Sequence, residues 1–333
     1  PTTHKAETHC GPRLGLFLMV KYMSTEISHP LKPALTFEQQ IERLKTVHNL
    51  TIMHEDSALK ILEKVNYYRL SAYGIGLKKA ANSEEYRDDI TLEHIFRLYC
   101  FDSEFRNDII HVVEQLEVQL RTQITYCLAI KYGPEGYSDV RNFNDKKNHD
   151  GRSIHGTIMD SFNNEVKHCK NLPFVKHHQD VYGGHFPIWA AVELMTFGNI
   201  TSIFDIMKPE DQKSISSFYG TSPNHLKSWM LSLVEIRNIC AHYNRLYNMP
   251  LKQTPFLYKE NLKYRSKQNK VFPVFLVIKR MLHGNEQWES FLRDIDKTIS
   301  KYQDIVILSF IGFPPDWKNI LLAPPSIAVL GNA

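Results

Sequence analysis

Between Thr91 and Gly133 the chain reads "LEHIFRLYCFDSEFRNDIIHVVEQLEVQLRTQITYCLAIKYG", with no proline and no glycine before its last residue. About forty residues of helical pattern without a breaker form one very long helix, or two joined by a kink near Asp102. Thr91 supplies an N-cap and Gly133 a stop. A helix of this length is the architectural spine, and the rest of the fold has to be layered against it.

The flanking sequence carries the same period. Thr36 and Gln39 have capping-box spacing ahead of the stripe Phe37, Ile41, Leu44 and Val47. A second helix is expected from about Asp56 through "SALKILEKVNYYRL", and the polar stretch 81–89 reads as a connection. Shorter helices are expected at 155–168, 188–197, 199–207 and 209–218, with loop at 134–153. Ser222 and Pro223 have the types of an N-cap and a first helical residue for "NHLKSWMLSLVEIRNICAHYN", whose core stripe is Leu226, Trp229, Met230, Leu233 and Ile236. Helices near 273–282 and 286–301 close the set, while "IVILSFIGF" at 305–313 suits strand or helix equally. No repeat and no alternation of strand with helix is present, so the expected fold class is all-α, a multi-helix domain.

With 43% hydrophobic residues, 333 residues can bury a large core. The expected organisation is a leader or non-native extension over residues 1–30 and a single helical unit over 31–333. The net charge of +4 neither demands nor excludes a nucleic acid partner. Five scattered cysteines without CxxC spacing read as free thiols of a reducing, cytoplasmic setting. No apolar run approaches the roughly 20 residues that span a bilayer, so no membrane partner is expected.

Polar chemistry concentrates in "RNICAHYNRLYN", residues 237–248. Continued at 3.6 residues per turn, a helix there places Arg237, Asn238, His242 and Arg245 on one face and offers Ile239, Cys240, Tyr243 and Tyr247 for packing. The Arg-x4-His spacing occurs three times, at Arg43/His48, Arg106/His111 and Arg237/His242. Only the third has further polar company in Asn238, Arg245 and Asn248. The second lies inside the spine, where Glu114, Glu117 and Arg121 are placed to saturate its charges.

The third copy resembles the signature of HEPN ribonucleases, in which an Arg, commonly followed by Asn, and a His close the last long helix of a four-helix bundle. "NYYRLSAY" at 66–73, "FDSEFRNDIIHVVEQLEVQLRTQI" at 101–124, "FPIWAAVELMTFGNIT" at 186–201, "WMLSLVEIRNICAHYNRLYN" at 229–248 and "GFPPDW" at 312–317 together resemble the bacterial Abi-like abortive-infection family, the AbiD and AbiF group. The resemblance implies an all-helical phage-defence protein with a HEPN-like core over roughly 90–250, a C-terminal helical segment over 251–333, and catalytic residues at Arg237, Asn238 and His242. The leading expectation is a homodimeric endoribonuclease toxin of a toxin–antitoxin type, needing no cofactor and no metal. Some HEPN toxins carry a Tyr two residues past the His that a partner enzyme modifies; here Tyr243 follows immediately, a departure that speaks against such a partner.

Residue chemistry agrees with metal-independent RNA cleavage. A ribose 2′-hydroxyl attacks its own 3′-phosphate once an imidazole takes its proton, and His titrates near neutral pH. Arg237 would stabilise charge on the phosphorane, with Asn238 orienting His242 or the phosphate. Five residues of helix separate Arg from His by about 7.5 Å of rise, so two copies about a two-fold axis would surround a phosphate better than one. RNA binding is expected from Arg245 and from the basic, aromatic run "KQTPFLYKENLKYRSKQNK": Lys252, Tyr258, Lys259, Lys263, Tyr264, Arg265, Lys267 and Lys270. The RNA would be a substrate, a regulatory or antitoxin RNA, or both. A second reading is a non-catalytic RNA-binding defence protein that uses the same basic face. His168, Cys169, His177, His178 and His185 lack the paired spacing of a zinc site.

Overall fold

The structure, a computed structural model, describes residues 33–265, 269–282 and 284–324. The expected extension over 1–30 and Lys267 lie outside the described residues. In chain order the helices are α1 (Phe37–Thr46), α2 (Glu55–Lys64), α3 (Tyr67–Ser71), α4 (Leu92–Tyr132), α5 (Ile154–His168), α6 (Pro173–Val181), α7 (Ile188–Ala191), α8 (Phe197–Ile206), α9 (Pro209–Phe218), α10 (Pro223–Ala241), α11 (Phe272–Leu282), α12 (Glu286–Lys301) and α13 (Trp317–Leu322). Among the described residues the only β pairing is isolated bridges, so the fold is all-α.

The spine is one unbroken helix of 41 residues, capped by the Thr91 hydroxyl on the His94 amide and ended at Gly133. Leu98, Phe101, Phe105, Ile109, Val112, Leu116, Leu120, Ile124 and Leu128 recur every three or four residues and are buried. Helices α10 and α12 lie along this stripe. The Lys301 ammonium and Tyr302 hydroxyl both donate to Glu104, at 2.7 Å each, and tie α12 to the spine. On α4's other side Val118, Tyr126 and Ile130 stay exposed.

Local signals succeed where caps are local. Thr36 and Gln39 form the capping box, and Ser222 with Pro223 opens α10. Differences arise where another element intervenes. The second helix divides: Val65 turns extended, and the Asn66 side chain accepts the Tyr68 amide to start α3. The helix expected over 188–197 stops at Ala191 because Arg121 takes the carbonyls of Val192 and Met195, at 2.7 and 2.9 Å, after which Thr196 caps α8. The unanticipated α6 begins with Pro173 in its first turn. Residues 305–313 are neither strand nor α-helix but loop around a short 3-10 turn at Leu308–Phe310, with the Ile307 amide donating to the Tyr247 hydroxyl.

Candidate functional site

The motif helix ends sooner than its sequence suggests. α10 stops at Ala241 with His242 as C-cap, and Tyr243 adopts φ +56°. The Tyr243 amide donates to Cys240 O (3.1 Å) and the Asn244 amide to Ile239 O (2.9 Å). That pair of bonds is a Schellman motif. Chain reversal carries Arg245 off the helix, so the four-residue polar face does not form; Tyr243, expected to pack, is 70% exposed. Arg237, Asn238 and His242 remain together at the helix end, Asn238 and His242 exposed and Arg237 half-buried.

Two distant segments fix this turn. Asp102, fully buried on α4, accepts the Tyr247 amide (2.6 Å), the Leu246 amide (3.1 Å), the Tyr73 hydroxyl (2.7 Å) and Arg106 Nε (3.2 Å). Burial, with Asp102 beside it, pushes the Tyr73 phenol above its ordinary value. From α3 the Arg69 guanidinium donates to the Tyr243 carbonyl, while Arg245 donates to Ala72 O at 2.5 Å. Asn248 Nδ2 reaches Ile75 O at 3.2 Å. Beneath the motif, burial raises the Cys240 thiol to about 12, which leaves it a packing residue rather than a nucleophile. Cys100, Cys127 and Cys240 are free thiols.

Arg237 faces α4. Its Nε stands 3.4 Å from Glu117 Oε2, and Glu117 is held in turn by Arg121 at 2.6 Å. Glu117 and Arg121 were expected to serve Arg106 and His111; Arg106 is instead buried against Asp102, one turn before it, and His111 stands exposed near Gln115. Neither half of that second pair is placed for joint chemistry. Arg237 also borders a groove of about 730 Å³ along α4, lined by Val118, Tyr126, Ile130 and Trp189 together with Glu114 and Glu193. Carboxylates there outnumber the two arginines, both of which are engaged with Glu117. A polyanion is therefore a poor occupant of the groove.

The expected RNA-binding residues divide in two. Lys252, Lys259, Lys263 and Arg265 are exposed, although the Lys252 and Gln253 amides are strapped to the Glu235 carboxylate of α10. Arg245, Tyr258 and Lys270 are already engaged within the protein. Arg245 is committed to Ala72 and lies over the Tyr73 ring, and burial lowers its pKa. Lys270 is buried, donates to Asn248 Oδ1 at 3.1 Å, and is lowered by burial and by Arg245 nearby. Tyr258 is held between the His225 ring at 4.4 Å and the Arg280 guanidinium at 4.0 Å, its hydroxyl bonded to Thr221. Tyr264 leans edge-on against Phe272.

Among the described residues no group of three or more His, Cys, Asp or Glu could hold a metal ion. His178 stacks on Phe186 at 4.9 Å, and His185 pairs with Glu135 at 2.8 Å. Sequence reasoning missed Asp102, Arg69 and Trp189 as parts of the site. An Asp beside Phe101, one turn before Arg106 on the spine, was the one signal that a buried partner was waiting. Nor did it foresee the acidic groove wall, since residues on two helices reveal no shared face until those helices are packed.

Compared with known proteins, residues 60–248 match the family model described as "Abi-like protein". The matched span runs from within α2 to the turn after α10 and so contains the whole site. No curated protein and no solved structure matches the chain.

Proposed function

The chain belongs to the Abi-like family, and from that premise we propose that it serves abortive-infection defence against phage as a HEPN-type endoribonuclease toxin that needs no metal. One observation carries the reading: Arg237 and His242 sit at the accessible end of α10, on a turn fixed from α3 and α4, whereas Arg106 is buried against Asp102 away from the exposed His111. His242 takes the ribose 2′-proton, the 2′-oxygen bonds to phosphorus, and the bond to the 5′-oxygen breaks. The products are a 2′,3′-cyclic phosphate and a 5′-hydroxyl. Glu117 holds Arg237 Nε and Asn238 Oδ1 accepts from its Nη1 at 3.5 Å, so the guanidinium is positioned in advance for a phosphate.

The departing 5′-oxygen needs a proton that one His242 does not supply in the same step, which favours a second copy. An apolar groove walled by carboxylates beside Arg237 suits a protein surface better than RNA, and exposed Val118, Tyr126, Ile130 and Trp189 form the kind of patch that marks an interface. We assign it to a homodimer whose helix ends approach each other. Among the described residues no helix is long and apolar enough to cross a membrane.

The test is cleavage of RNA by the purified protein with EDTA present. Wild type should cut and leave a cyclic phosphate end, while His242→Ala should not cut. If His242→Ala binds RNA as wild type does and neither protein cuts, the non-catalytic RNA-binding reading replaces this one.

A further inference from the structure

Four non-glycine residues among those described have positive φ: Asn49, Tyr243, Asn248 and Asn269. Three are Asn, the type that tolerates the left-handed region; for a bulky side chain that region is a genuine outlier. Position C′ of a Schellman motif is the place where glycine is preferred most strongly. Tyr243 occupies it nonetheless, and its side chain does not repay the strain by packing, since the residue is 70% exposed. The carbonyl of the strained residue is gripped by Arg69, and the following backbone by Asp102. Strain that persists because its surroundings impose it is a pointer to function.

Resting on the ribonuclease reading above, we propose that this turn presents the Tyr243 ring to stack on an unpaired nucleobase next to the phosphate served by Arg237 and His242. Tyr243 directly follows His242 in the chain, so a base on its ring lies one residue from the imidazole. The neighbours are polar and exposed, Asn238, His242 and Asn244. An isolated aromatic among hydrogen-bonding groups suits a nucleotide, whereas a protein contact calls for the contiguous apolar surface found in the α4 groove. Stacking tolerates any base, so the site would select single-stranded over paired RNA rather than a sequence.

The experiment uses a short single-stranded 2′-O-methyl RNA carrying 2-aminopurine, which cannot be cut because its nucleophile is blocked. Wild type should bind it and quench the 2-aminopurine. Tyr243→Gly should bind about 5- to 150-fold more weakly, without quenching. The same variant should melt at a higher temperature, because glycine relieves the strain, and this separates lost stacking from lost folding. Tyr243→Phe should retain both affinity and quenching. Equal binding and quenching by wild type and Tyr243→Gly would overturn the proposal, as would a Phe variant as weak as Gly. So would a Gly variant that changes the sedimentation of the protein but not its RNA affinity, which would make the ring a protein contact. Wild type that binds and quenches this probe yet fails to cut unmodified RNA would defeat the ribonuclease reading and leave the stacking site standing.

Discussion

Nε of Arg237 lies 3.4 Å from Oε2 of Glu117, and Arg121 Nη2 lies 2.6 Å from the same carboxylate. One acid on the spine thus orients the cation of the motif helix and the arginine that ends α7. Loss of its charge would leave two arginines facing each other half-buried.

Glu117→Gln should therefore reduce cleavage about 10- to 100-fold by loosening Arg237, and lower stability by roughly 1–3 kcal/mol. Cleavage kinetics and thermal melting read the two effects separately. Wild-type cleavage by the Gln variant would show that Arg237 needs no positioning by Glu117.

Asp102 should matter to folding before it matters to chemistry. Its replacement by Ala leaves the buried Arg106 without its counter-charge and two buried backbone amides without their acceptor, and about 3–5 kcal/mol of stability should go with it. Denaturant titration measures this; a loss near zero would mean that the turn after α10 is held by Arg69 and Arg245 alone.

The α4 groove predicts the assembly. Trp189→Asp combined with Ile130→Glu should convert a dimer into a monomer in analytical ultracentrifugation and abolish cleavage while leaving the helical circular dichroism intact. Mixed dimers of Arg237→Ala and His242→Ala chains should recover part of the activity if each phosphate draws on both copies. A fully active monomer rejects the two-fold arrangement outright.

Exposed cations of the basic run should contribute to RNA affinity only through charge. Neutralising Lys259, Lys263 and Arg265 should reduce the salt slope of binding by about 2 to 3 units, at roughly 0.7 to 0.9 per phosphate contact. Tyr258→Ala, by contrast, removes the ring that His225 and Arg280 pack against and should lower the melting temperature with little change in slope. An unchanged slope in the triple variant would place the RNA surface elsewhere, for instance on exposed Lys167, Lys170 and Lys176 of the 167–178 segment.

Acid stability should depend on Asp205. Burial raises this carboxyl's pKa, but hydrogen bonds from Lys227 and Lys146 outweigh it and hold it below the ordinary value. A depressed carboxylate stabilises the fold above its unfolded pKa of about 3.9, and that contribution is lost as pH falls through its lower folded value. With both lysines partly in water the effect is about 1 kcal/mol, or about 2 °C. Asp205→Asn should melt lower than wild type at pH 7, with the gap closing as pH falls through the lowered folded pKa. A gap that does not change with pH would assign the effect to packing.

Much of this molecule was legible in its one-dimensional pattern. The period of the apolar residues gave the long spine and the core stripe of α10, and the caps at Thr36, Thr91 and Ser222 gave three helix starts, because period and cap depend on residues within a turn of each other. The motif at Arg237, Asn238 and His242 was visible for the same reason. Where α10 stops was not. Its end carries Tyr rather than glycine, and the reversal is enforced by Arg69 and Asp102, each more than a hundred residues away in the chain. Sequence likewise assigned Arg245, Tyr258 and Lys270 a charge or a ring but not a direction. Only packing decided that Arg245 turns to Ala72, that Tyr258 is enclosed between His225 and Arg280, and that Lys270 is buried against Asn248, since a side chain's chemistry is local whereas its access to solvent depends on which distant helices lie over it.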